Sequence, residues 1–300
     1  MKVLAFGEIL WDIINGVEHL GGAPFNFAAH AAQCGDDSYI VSRLGNDALG
    51  KRAFEQSKTY NVGGSFIQWD DKHPTGVVDV TLTNGQPDYF IREEVAYDYI
   101  EDEISLSRLK DEQFDVFYFG SLSQRNSMSA GTLLSILSNN SFKHVFYDVN
   151  LRKNGYTLEV IRGSLNACTI FKLNTEEVNV ISKLLVGSVL DVSDFCVFLR
   201  SNFPNIRLIV VTASEKGCHV FEDRLLTVPG TLVEVCDAVG AGDAFSAAFM
   251  HIYALSGDPL VAARTANQVG AFVATKTGAI PAYSPAISSL LKVRAFTGLK

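Results

Sequence analysis

The chain has 300 residues, of which 47% are hydrophobic, and a formal net charge of −8. That length and apolar content supply one large core, or one core with an appendage. The negative balance argues against a general affinity for nucleic acid or an anionic membrane surface, while a small anionic substrate stays compatible because local N–H groups and one or two cations suffice to hold it. Apolar runs fall short of the roughly 20 residues a membrane span needs. Glu8 and Asp12 interrupt the N-terminal apolar run too early for a signal peptide. Cys34, Cys168, Cys196, Cys218 and Cys236 show no C-x-x-C spacing or pairing scheme, which reads as reduced thiols in a cytoplasm. No clustered His/Cys pattern points to a structural zinc.

In chain order, a strand is expected over Val3–Ile9, a helix over Pro24–Cys34, a strand over Tyr39–Leu44 and a helix over Ala48–Tyr60. The segment Thr75–Ile100 then alternates apolar and polar residues, with Asn84-Gly85 between Gly76–Leu82 and Tyr89–Arg92, which signals a β-hairpin. The alternation of strand and helix resumes with Asp115–Gly120, Ser129–Ser138, His144–Asn150, Leu158–Ala167 and Ile170–Leu173. It continues with helices over Thr175–Leu185 and Val192–Ser201, a strand over Leu208–Thr212 and a helix over Ala244–Leu255. This rhythm predicts a mostly parallel sheet covered by helices on both faces. Ligands in such sheets lie beyond the carboxyl ends of the strands, where Glu8, Asp12, Gly120, Asp148, Asn150 and Asn174 fall. The hairpin reads as a small projecting sheet that covers the site with the segment around Ile13–Leu20; a hairpin extending the main sheet is the plainer alternative. Of its apolar residues, Val78, Val80 and Phe90 occupy an undetermined face.

The most informative stretch is Asp237-Ala-Val-Gly-Ala-Gly-Asp243-Ala-Phe. Gly240 and Gly242 permit close approach of a ligand to bare backbone, and the helix that follows opens with unpaired N–H groups at the positive end of its dipole. Asp243 beside an anion-binding turn is electrostatically odd unless it handles a proton, and a phosphate cradle next to a carboxylate is what phosphoryl transfer to a hydroxyl requires. The plain alternative is a helix start with a favourable acid. Gly21-Gly-Ala-Pro-Phe-Asn26 before an apolar helix offers bare backbone and an amide with both donor and acceptor, properties that suit a sugar.

Together with Gly45-Asn-Asp47-Ala-Leu-Gly50, Asp148-Val-Asn150-Leu-Arg152, Lys172-Leu-Asn174-Thr-Glu-Glu177 and Thr212…Gly217, these motifs stand in the order of the ribokinase-like (PfkB) carbohydrate kinases. The chain resembles that family over essentially its whole length. The early Gly7-Glu8…Asp12 and the Gly-Gly-Ala-Pro-x-Asn run look most like fructokinases. The resemblance implies a three-layer α/β/α sandwich with a small β-sheet lid, the body formed by residues 1–11, 21–74 and 101–300 and the lid by 12–20 and 75–100. It implies transfer from ATP to a sugar hydroxyl, most of all fructose to fructose 6-phosphate. Asp243 would be the general base, and Gly240, Ala241 and Gly242 would form the anion hole with it. Asp12, Gly22, Asn26 and Arg92 would hold the sugar. Asn150, Arg152, Asn174, Thr212, Gly217 and Asn267 would face the nucleotide, and Asn174 with Glu177 would organise Mg²⁺, mainly through water. A K⁺ site of backbone carbonyls near the glycine turn and Thr277-Gly278-Ala279 is implied but not established by sequence. So is a homodimer through the lid. Other acceptors (2-keto-3-deoxygluconate, ribose, tagatose, a nucleoside) stay open, as does a sugar-binding regulator on the same scaffold, against which the intact Asp243 and both glycines speak.

Departures from the family pattern are Ala238, where threonine is frequent, and Ser214, where glycine is common. Gly45–Arg52 nearly matches a P-loop, but Arg52 stands where a Mg²⁺-binding hydroxyl belongs. No G-x-G-x-x-G follows the first strand, so a Rossmann dehydrogenase is not indicated. The aromatics at Phe114–Phe119 and Phe142–Tyr147 read as core packing.

Overall fold

The structure is a computed structural model that describes residues 1–14, 16–83 and 86–292. Its strands are β1 (Lys2–Phe6), β2 (Leu10–Ile14), β3 (Val17–Gly21), β4 (Asp37–Gly45), β5 (Ile67–Asp70), β6 (Gly76–Thr83), β7 (Gln86–Ile91), β8 (Val116–Phe119), β9 (His144–Asp148), β10 (Ile170–Asn174), β11 (Leu208–Thr212), β12 (Cys218–Phe221) and β13 (Leu225–Val228). Nine form one sheet in the order β13-β12-β11-β10-β9-β8-β1-β4-β5. From β11 to β5 every pairing is parallel, and β12 and β13 close one edge antiparallel. The expected mostly parallel sheet and separate small sheet are both present.

Strand side chains alternate between two cores, as the pleat requires. Val3, Ala5, Val116, Tyr118, Phe146, Ile170, Leu208 and Val210 face one way. They meet α1 (Ala23–Cys34), α8 (Ala241–Ser256) and α9 (Pro259–Ala274), with α2 (Ala48–Thr59) and α10 (Pro285–Leu291) at the margins. Leu4, Phe6, Phe117, Phe119, Tyr147, Phe171 and Val211 face the other way. There they pack on α3 (Asp102–Leu109), α4 (Ser127–Asn139), α5 (Leu158–Ala167), α6 (Thr175–Val186) and α7 (Val192–Asn202). The expected core aromatics are divided between the two cores; in the first, Phe27 of α1 stacks on Tyr118 at 3.8 Å between ring centroids.

The N-terminal strand expected over Val3–Ile9 stops three residues early, and a separate strand starts at Leu10. β1 ends at Phe6, Gly7 takes a left-handed φ of 141°, and β2 leaves for the second sheet, of order β3-β2-β6-β7. Glycine is required at this corner because a methyl there would come 2.7 Å from Pro24 Cγ. The Asn84-Gly85 turn lies outside the described residues; the strands beside it pair antiparallel from Thr83↔Gln86 to Val78↔Ile91. Val78 is buried against Leu10, Val95, Tyr97 and Leu122, whereas Phe90 is 67% exposed. The near-P-loop segment is a helix start, in which Asp47 accepts from Gly50 N at 2.7 Å and caps α2.

Candidate active site

The glycine turn is built from both sides. Asp237 accepts from Val239 N (3.0 Å) and from Gly278 N (3.1 Å), which ties the turn to the loop after α9. Gly240 caps α8 with φ 77°, and a methyl there would lie 2.2 Å from the Ala279 carbonyl oxygen. Ala279 is held in turn by the fully buried His30, whose Nε2 is 2.9 Å from that oxygen. Gly240 provides no side-chain cap, and the leading N–H groups of an α-helix have no partner inside it. Ala241 N donates to the Ala238 carbonyl at 3.3 Å, so the turn presents the amides of Gly242 and Asp243 and a dipole's positive end to the crevice.

Asp243, in the first turn of α8, accepts a 2.8 Å hydrogen bond from Asn26 Nδ2. Asn26 belongs to the first turns of α1, so two motifs from opposite ends of the chain meet here. Burial pushes the Asp243 carboxyl up to about 6; the Asn26 bond, Lys172 and Arg152 pull the other way, and Asp148 adds to the rise. Asp12 on β2 lies beside Asn26: the point where a Gly21 side chain would begin is 2.8 Å from Asp12 Oδ2 and 3.9 Å from Asn26 Oδ1. Burial raises Asp12 to about 6 as well, against the charges of Arg152 and His19. Gly22 closes the same corner, since a methyl there would be 2.5 Å from the Glu8 carbonyl oxygen.

Glu8 belongs to this cluster although no role was assigned to it from sequence. It is 3% exposed, its Oε2 has no hydrogen-bond partner, and burial pushes its carboxyl up to about 7. Asn26 Oδ1 is a second buried acceptor without a partner. Unpaired buried acceptors are costly, so this corner is shaped for donors such as sugar hydroxyls. The charge of the exposed Arg152 acts on Glu8, Asp12 and Asp243 alike. Arg92 stands apart: its guanidinium pairs bidentately with Asp79 on the small sheet, at 2.8 and 3.0 Å.

Behind the turn lies a buried polar layer. Lys172 Nζ donates to both oxygens of Asp148, at 3.0 and 2.9 Å. Asp148 Oδ2 also accepts from Tyr118 Oη (3.1 Å) and Ser246 Oγ (3.0 Å), and Ser246 Oγ is 3.0 Å from the Gly242 carbonyl. Burial opposes the charge of Lys172, yet Asp148 and Glu177 hold its pKa above the ordinary lysine value. The sequence signal for this layer is a lysine inside the apolar run Ile170–Leu173, since a buried ammonium demands a carboxylate.

The remaining residues line the edge toward β11. Asn174 and Glu177 form a capping box on α6: Asn174 Oδ1 accepts from Glu177 N, and Glu177 accepts from Asn174 N and Leu151 N, each at 2.8 Å. Asn150 follows β9 with a left-handed φ of 38°. Thr212 ends β11 in register with Asn174. Ser214 adopts φ 50°, a conformation that favours the glycine common there, and Gly217 has φ 96° with room for no side chain against the Val228 carbonyl, 2.2 Å away. Asn267 is buried on α9 and donates to the carbonyl of Pro229 at 3.0 Å. Among the described residues no group of three or more His, Cys, Asp or Glu side chains is placed to hold a metal ion.

Known proteins resemble this chain in sequence and in fold. The model of the pfkB family carbohydrate kinases matches residues 4–286, and the chain belongs to that family. It is a carbohydrate kinase. A putative sugar kinase of Pyrococcus horikoshii is 28% identical, over 92% of this chain and 91% of its own length. A probable fructokinase-5 of Arabidopsis thaliana is 27% identical, over 93% of each chain. The crystal structure of the P. horikoshii sugar kinase in complex with ATP superposes with a TM-score of 0.79 at 27% identity, covering 93% of this chain and 94% of that one. Fructokinase from Xylella fastidiosa, 22% identical, has the same fold, with a TM-score of 0.85 over 97% of both chains.

Proposed function

We propose that the chain transfers the γ-phosphoryl group of ATP to a sugar hydroxyl, with fructose the favoured acceptor and fructose 6-phosphate the product. The observation that carries this reading is the 2.8 Å contact between Asn26 and Asp243 at the open N-terminus of α8. It joins a sugar-facing amide, a carboxylate and a set of anion-seeking amides in one crevice. Asp243 takes the proton of the acceptor hydroxyl as that oxygen attacks the γ-phosphorus. The bond to the bridging oxygen breaks, and ADP leaves with the bonding pair. The amides of Gly242 and Asp243, and that of Ala241 once it leaves the Ala238 carbonyl, stabilise the charge on the migrating group, Gly240 allowing the backbone to turn there. A base whose pKa lies near 6 is ionised at neutral pH and still basic enough to accept a proton.

Asp12, Gly22 and Asn26 line the sugar side, and Arg92 reaches it only if it leaves Asp79. Asn150, Arg152, Thr212, Gly217 and Asn267 border the nucleotide side. The fit for Mg²⁺ is indirect: both oxygens of Glu177 already accept backbone amides, which suits an ion that keeps its waters and borrows phosphate oxygens. Asn174 and Glu177 would hold it through water, and when bound it offsets phosphate charge. A K⁺ site beside the Asp237–Gly240 turn is tested by comparing turnover in potassium and sodium salts. The small sheet acts as a lid that excludes water. Its exposed Phe90 and Val17 form the surface through which a second copy packs, which light scattering of the purified protein tests. Relatives that are fructokinases support the acceptor, and the ATP complex of the P. horikoshii kinase supports the donor.

The deciding experiment is coupled ATP turnover with fructose, ribose, tagatose, 2-keto-3-deoxygluconate and a nucleoside. Turnover highest on fructose supports the reading, a higher rate on another acceptor reassigns the sugar, and tight sugar binding without turnover reassigns the chain as a regulator.

A further inference from the structure

Lys172 is a buried cation that the transfer chemistry above does not use. It is 7% exposed, sits at the carboxyl end of a central strand, and is paired in register with Asp148 on β9. An ammonium has three donors, of which two go to Asp148. Nζ lies 3.5 Å from the point where a side chain on Gly242 would begin, so the missing side chain leaves the charge next to the turn. A buried ion pair is weak evidence of stabilisation, because apolar residues of similar volume often do as well. The location, by contrast, is specific. Asp243, Asp148, Glu177, Glu8 and Asp12 gather at one end of the sheet, and a phosphoryl group entering among them needs fixed positive charge.

We propose that Lys172, anchored by Asp148, which Ser246 in turn holds beneath the Gly240–Asp243 turn, is a positioning residue whose charge steadies the migrating phosphoryl group through that turn. This rests on the kinase reading above. The charge of Lys172 also favours the ionised form of Asp243, and Asp148 opposes it.

Lys172→Met, Lys172→Gln and the double variant Asp148→Asn/Lys172→Met, made in the full chain, test the idea on the best acceptor of the wild type. Removing the charge should lower kcat on the order of 10²-fold, as loss of one anion-hole donor does, with sugar KM changed by less than about threefold. In Lys172→Gln the acid limb of kcat/KM should move to higher pH, because Asp243 loses a neighbouring cation. The double variant removes the Asp148 carboxylate together with the cation that pairs it and should stay as slow as the single ones. Recovery of the double variant to within about threefold of wild-type kcat would overturn the proposal, since pairing Asp148 would then be the only task of Lys172. So would failure of all three variants to fold, which assigns the pair to structure alone. A wild type that turns over no sugar defeats the kinase reading; an active wild type with a fast charge-free variant defeats only this proposal.

Discussion

The two sheets of the molecule secure their functional residues in opposite ways. At the carboxyl ends of the large sheet, charged side chains are interlocked and buried: Lys172 on Asp148, Tyr118 and Ser246 on the same carboxylate, Glu177 on two backbone amides. The small sheet is joined to the body by Trp11, Leu20 and Val77, which enter the first core, and by polar contacts at its margin. Trp11 Nε1 donates to the Leu49 carbonyl at 3.1 Å, and Arg125 grips Asp98 through two 2.8 Å bonds and the Arg92 carbonyl at 2.6 Å. Its ion pairs, Arg92 with Asp79 within the sheet and Glu18 with Arg52 of α2, are substantially exposed and so contribute little. On the proposed function, the difference would give precision to the phosphoryl side and adaptability to the covering small sheet.

The sharpest test of the rigid side compares its two glycines. Gly240→Ala places a methyl 2.2 Å from a backbone oxygen at φ 77°. The turn cannot form unchanged, and both a lowered melting temperature and a loss of activity of about 10²-fold or more are expected. Gly242→Ala meets only Lys172 Nζ at an ordinary 3.5 Å. Its melting temperature should match wild type or exceed it, alanine being the better helix former, while kcat falls by about tenfold because the methyl occupies the approach to the anion hole. Equal melting temperatures for the two variants would contradict the asymmetry.

The pH dependence comes next. Burial raises Asp243 to about 6 in the folded protein from an ordinary value of 3.8, so kcat/KM should fall below an acid limb near pH 6. The same shift sets a stability contribution that is present below the ordinary carboxyl pKa and is lost as pH rises through about 6. The wild type should therefore gain thermal stability relative to Asp243→Asn as pH falls from 8 to 4; a constant difference between the two melting curves would contradict the raised value. On the adaptable side effects should be smaller. Arg92→Ala should raise sugar KM a few-fold (about 1 kcal/mol or less) with little change in kcat. Glu18→Gln, which breaks an exposed pair, should move stability by no more than about 0.5 kcal/mol in a thermal melt.

Short-range chemistry was readable in the chain itself. Leu158–Ala167 and Leu208–Thr212 have the bounds expected of them, and the glycine turn opens α8 as Gly240 and Gly242 imply. What stayed hidden depends on partners far along the chain. Lys172 and Asp148 are 24 residues apart and Asp148 and Ser246 are 98 apart, so no local pattern pairs them. Glu8 reads as a polar strand end until α1 folds over it. The corner at Gly7 was hidden because apolar Ile9 and Leu10 resume the run beyond Glu8. Helix α9 carries Ala262, Ala263, Ala266, Val269 and Val273 inward, small residues that give weak periodicity, and it received no expectation.

The account stands on Asp243 as the group that receives the acceptor's proton. Steady-state turnover of Asp243→Asn with the preferred sugar and ATP tests this most directly, since asparagine can keep the contact to Asn26 but not accept the proton. A kcat lower by about 10²–10⁴-fold in a protein that still binds the sugar is the result expected; a kcat equal to wild type would contradict it.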